Sequence, residues 1–140
     1  MGLPTFFEDV QRSDFLQYQG EYVYPDELSE IHKNADIIWA CYPFQESVLG
    51  NWNYARTNRF YEACFFKTPI ISQSGTLDSQ AVDKYQIGLS LDLGEIEESI
   101  NKVLSLDDQN LNFYRENMYS VPENVYAYTD EHEELYRVLK

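Results

Sequence analysis

Basic residues are scarce in this chain. Ten lysines and arginines face 24 acids over 140 residues, a formal net charge of −14. A protein that binds a polyanion needs a basic face, because neutralising phosphates supplies most of its affinity. Nucleic acid is therefore excluded as a partner, and an anionic membrane surface with it. Long apolar runs are missing too, so no transmembrane segment is expected. Met1–Thr5 carries no basic stretch followed by an apolar one, so no signal peptide is expected and the location is read as cytoplasmic.

Cysteine and histidine occur only twice each. Two cysteines cannot form a disulfide framework. Cys41 closes an apolar run and Cys64 lies mid-helix among Ala63, Phe65 and Phe66, so both read as small buried hydrophobes. His32 and His132 sit in acidic helical segments, away from either thiol. No CxxC or HxxxH spacing is present, so no metal site is expected. There is no GxGxxG and no P-loop lysine.

What the chain does have is an alternation of apolar runs and helical periodicities, long enough for one domain. Asp14–Gln19 reads as an edge strand. Pro25-Asp26-Glu27-Leu28 opens a helix on which Leu28, Ile31 and Ala35 recur at helical spacing. Residues 37–41 form a continuous apolar run, as expected of a parallel strand buried on both faces. Residues 42–57 read as a long loop with Tyr42, Trp52 and Tyr54. A helix over 58–66, capped by Thr57 or Asn58, leads to a strand opening at Pro69-Ile70-Ile71. A turn at 73–76, a helix over 79–85 and a strand over 87–91 follow. Ile96, Ile100, Val103 and Leu104 stripe a further helix. Another spans 108–119, and a last one, capped by Thr129 or Asp130, carries Leu135, Val138 and Leu139 on one face. This order predicts an α/β single domain, Rossmann-like, with a parallel sheet between helical layers (α/β/α).

Charge is unevenly distributed. Between Cys41 and Leu77 the acids are Glu46 and Glu62, against Arg56, Arg59 and Lys67. That segment is net +1 and contains a helix that is apolar nearly all round except for Glu62. A charge there needs a purpose or a partner. Arg59 could pair with it structurally. A carboxylate suits vicinal hydroxyls, while helix-start amides and arginine suit phosphates. Lys67 complements the negative end of the same helix. Gly75 serves the turn's backbone.

Asn58-Arg59-Phe60-Tyr61-Glu62-Ala63 followed by Lys67-Thr68-Pro69-Ile70-Ile71, with Ala35-Asp36-Ile37-Ile38 before and the Gly75 turn and Gly88 strand after, resembles the C-terminal half of GT-B glycosyltransferases of the group 1 type. The resemblance covers roughly residues 14–104. It implies a nucleotide-sugar donor-binding domain of a hexosyltransferase that builds a glycan or surface polysaccharide. It also implies that Glu62 holds the ribose hydroxyls, with Arg56, Asn58 and Arg59 near the diphosphate and Ser74, Gly75 and Thr76 near the donor. The nucleotide-diphosphate sugar is a substrate, and no tightly bound cofactor is implied. Where the family often has a second glutamate, eight positions before Glu62, this chain has Tyr54.

Residues 1–140 thus correspond to the donor half alone. An N-terminal acceptor domain would be missing, the isolated chain would be inactive, and apolar surface left bare would favour self-association. A different class, a non-catalytic α/β interaction or regulatory domain derived from the same fold, is the alternative. A receiver-like signalling domain fits less well, because Asp36 stands at the start of its strand.

Overall fold

The computed structural model describes residues 14–42, 54, 56–127 and 131–139, and of residues 131–134 only the backbone. The described elements are α1 (Leu28–Lys33), β1 (Ile38–Ala40), α2 (Asn58–Phe66), β2 (Ile70–Gln73), α3 (Leu77–Tyr85), β3 (Gly88–Leu91), α4 (Ile96–Leu104), α5 (Asp108–Met118), a 3-10 turn (Glu123–Val125) and α6 (Glu131–Val138). The three strands form one parallel sheet in the order β1-β2-β3. Ile38 pairs with Ile70 and Ile70 with Gly88. This is the α/β, Rossmann-like arrangement that the alternation predicts.

Register divides the side chains between two faces. On one face Ala40 and Ile70 join Phe60, Ala63 and Cys64 of α2 and Ala81 and Val82 of α3 in a single buried cluster. Met118 and Val121, at the end of α5, close that cluster. On the other face Trp39, Ile71 and Leu89 lie side by side. Here α4 covers Leu91, but Trp39 stays 53% exposed above an apolar groove that Leu93, Ile96 and Ile100 also line. The burial on both faces expected of the run 37–41 is therefore reached on one face only, among the described residues.

Two glycines answer to geometry. Gly75 sits at φ +84°, where side-chain-bearing residues are strained. Gly88 lies so close to β2 that a Cβ would overlap the Ile70 backbone.

Several boundaries differ from expectation. Residues 14–19 form no strand. Phe15 and Leu16 are adjacent rather than alternating, so no single sheet face would bury both. The first helix begins at Leu28, not Pro25, because residues 24–27 make a turn whose Pro25 carbonyl accepts from Leu28 N–H. The third helix begins two residues early, at Leu77, because Thr76 rather than a later residue caps it. The stripes of α4 and α6 form as predicted, but Ile96, Ile100, Leu104, Leu135 and Val138 are exposed. The expected caps at 129 and 130, and most of the loop 42–57 including Trp52, lie outside the described residues. No described helix is long and apolar enough to cross a membrane.

Candidate functional site

Helix α3 starts just after β2 ends, and the bonds from Thr57 to Asp78 bring the start of α2 beside it. Both starts therefore sit at the carboxyl edge of the sheet, the place where open α/β sheets bind ligands. Thr57 caps α2, its hydroxyl oxygen accepting from Phe60 N–H at 3.2 Å. Thr76 caps α3 in a reciprocal box: Ser79 N–H donates to the Thr76 hydroxyl and Thr76 N–H to the Ser79 hydroxyl, each at 3.1 Å. The Thr76 hydroxyl in turn donates to the Gln73 carbonyl at 2.7 Å, holding the turn of Ser74 and Gly75 against the strand end.

One carboxylate fastens the two helix starts together. Asp78, in the first turn of α3, is only 2% exposed. It accepts the Thr57 hydroxyl proton at 2.6 Å and the Thr57 N–H at 3.2 Å. Burial pushes its pKa above the ordinary 3.8, and the Thr57 bonds and the nearby Arg56 charge oppose that rise. Sequence reasoning missed Asp78. Its one signal was an acid two residues after Thr76, which fits an ordinary first-turn acid equally well.

The expected site residues fall into three groups. Asn58, Arg59, Ser74, Gly75 and Thr76 share the rim that Asp78 holds together. Arg59, Glu62 and Phe66 follow one another at spacings of three and four along α2, on a single flank. That flank faces α1, since Phe66 stacks on His32 at 4.7 Å and the Arg59 charge reaches His32. Glu62 is half-buried and, among the described residues, forms no hydrogen bond or ion pair, so the Arg59–Glu62 pair considered from sequence does not form. Arg56 lies apart. It turns into the cleft between α2 and α3, where Glu62 is not among the lining residues.

His32 is buried, with Nδ1 3.1 Å from the Thr68 hydroxyl. Burial and then the Arg59 charge lower its pKa below 6.5. Burial raises the Cys41 thiol to about 11 and the Cys64 thiol to about 12. Neither is a thiolate near neutral pH; Cys64 is buried as expected, whereas Cys41 is half-buried and its thiol donates to the Ile71 carbonyl at 3.9 Å. Lys67 caps the end of α2 in the left-handed conformation, and its Nζ donates to Tyr126 Oη at 2.9 Å and to the Met118 carbonyl at 3.3 Å. The role is structural, as expected, but the ammonium serves the end of α5 rather than the end of α2. No cluster of histidine, cysteine and acidic residues suited to a metal occurs among the described residues.

Comparison with known proteins gives one similarity of direct use. Over 102 residues, 69% of this chain, it is 30% identical to the succinoglycan biosynthesis protein ExoL of Rhizobium meliloti (strain 1021). The chain spans about a quarter of that protein's length, 25%. No family model matches the chain, and no solved structure does.

Proposed function

We propose that this chain is the nucleotide-sugar-binding part of a hexosyltransferase acting in polysaccharide biosynthesis. The observation that carries this reading is the Thr57–Asp78 connection, which sets the starts of α2 and α3 side by side at the carboxyl edge of the sheet. The first amides of each helix have no partner within the helix, and they suit a diphosphate. Asn58 and Arg59 border it from α2, and Ser74, Gly75 and Thr76 from the β2–α3 turn. Glu62, half-buried and without a partner among the described residues, has a carboxylate available for the ribose hydroxyls. The similarity to a protein of succinoglycan biosynthesis supports the choice of polymer. In this reading an N-terminal acceptor domain completes the enzyme and supplies the rest of the active site. The 140 residues alone bind donor without transferring it.

Calorimetric titration with UDP, GDP and ADP and their glucose or mannose conjugates tests the proposal. One nucleotide series is expected to bind, and Glu62→Ala to weaken it by about tenfold or more, the loss that removing a charged hydrogen-bond partner brings. Absence of binding by every series would remove the donor role.

The alternative is a non-catalytic interaction domain that keeps the fold. Tyr54 in place of a second acid and the open apolar face around Trp39 favour it. It expects partner association without nucleotide binding.

A further inference from the structure

Arg56, which the resemblance puts near the donor diphosphate, lines the cleft between α2 and α3. Its guanidinium lies over the Phe60 ring, 4.4 Å from the centroid. Its Nη1 is buried and has no hydrogen-bond partner among the described residues. A buried donor left unsatisfied costs on the order of 1–3 kcal/mol, so such a group points to an acceptor that comes from outside. Asp78 is near enough to feel the charge, but it forms no ion pair with Arg56, and its oxygens accept from Thr57.

Lys84 and Gln80 of α3 border the same cleft, with Tyr61 of α2 opposite and Tyr85 at its end. Two cations thus border one recess of a chain whose net charge is −14, with Lys84 Nζ 5.0 Å from the Tyr85 ring centroid. Beside them are groups of a different kind. The Tyr61 ring is exposed and presents an apolar face, and Gln80 is exposed and carries an amide that can both donate and accept. A planar apolar face, an amide and a pair of cations together match a hydroxylated ring that bears an acid group.

We propose that the α2–α3 cleft binds an acidic sugar, with Arg56 and Lys84 holding its carboxylate or phosphate and Tyr61 and Gln80 meeting the ring. The acid-group half of this inference stands on the orphaned guanidinium nitrogen and on Lys84. The sugar half also rests on the polysaccharide reading above.

The test is an NMR titration of the whole chain with four probes: a galacturonate tetramer, glucose 1-phosphate, cellotetraose and inorganic phosphate. One of the two acidic sugars is expected to bind more tightly than cellotetraose and than inorganic phosphate. Which of them binds better assigns the acid group as carboxylate or phosphate. Lys84→Gln, an exposed substitution that leaves the core intact, and Arg56→Gln are each expected to weaken that binding by about tenfold, in keeping with loss of a charge-assisted hydrogen bond. Glu62→Ala is expected to leave it unchanged. Failure of every acidic sugar to bind, equal binding of cellotetraose or of inorganic phosphate, or an unaltered affinity in Lys84→Gln would overturn the inference. Equal weakening by Glu62→Ala would overturn it too, by moving the ligand out of the cleft to the side of α2 that carries Glu62. Failure of the nucleotide titrations with acidic-sugar binding intact would count against the donor reading alone.

Discussion

Thr57 is bonded in two directions, toward its own helix and toward Asp78. Thr57→Ala removes a cap and the hydroxyl donor to a buried carboxylate, leaving only the backbone N–H bonded to it, so a loss of about 2 kcal/mol is expected by denaturant titration. Asp78→Asn keeps an acceptor and removes the charge. Because the folded pKa of Asp78 is raised, its favourable contribution is complete below 3.8 and is lost as pH rises through the higher folded value. The stability of Asp78→Asn relative to the parent chain is therefore expected to improve from pH 3 toward neutrality. An unchanging difference would contradict the assignment. His32 works in the opposite sense. Its folded pKa is lowered, so its contribution is complete above 6.5 and fades as pH falls through 6.5 toward the folded value. His32→Phe, which keeps a ring against Phe66, is expected to flatten the stability profile in that window. Neither residue was legible beforehand. Asp78 depends on a partner 21 positions away and His32 on one 36 positions away, separations that no local pattern reveals.

Among the elements, α2 and the strand after it were the most legible, because cap, apolar body and β-branched run agree with one another. The segment 14–19 misled because strand propensity in a short window says nothing about a pairing neighbour. The exposed stripe of α4 shows the same limit: periodicity gives a face but not what covers it. Lys67 ties the end of α2 to α5 and to the 3-10 turn, with Nζ 4.3 Å from the Tyr126 ring centroid as well. Lys67→Met is expected to cost about 2 kcal/mol, seen first as faster amide exchange at Met118–Tyr126. Gly88→Ala forces β3 away from β2, and a loss of about 1–3 kcal/mol is expected from thermal melts.

For the whole molecule, the alternation of elements predicted the parallel sheet. Among the described residues, the seven residues expected at the donor site take three places. Five border the rim, Glu62 stands on the α1 flank and Arg56 enters the interhelical cleft. The rim could be anticipated because helix starts and strand ends have fixed positions in this topology. The division could not, since it depends on which way long side chains turn at the start of α2. The chain corresponds to a quarter of the length of its succinoglycan-biosynthesis relative, and one sheet face remains open around Trp39. Both fit the proposal that further structure belongs beside this domain. The most direct test of the donor reading is an amide NMR spectrum recorded as a nucleotide-diphosphate sugar is added. The account predicts shifts concentrated at Asn58, Arg59 and Ser74–Asp78, reduced in Glu62→Ala. A spectrum unmoved by every such sugar, or shifts confined to the groove around Trp39, would contradict it.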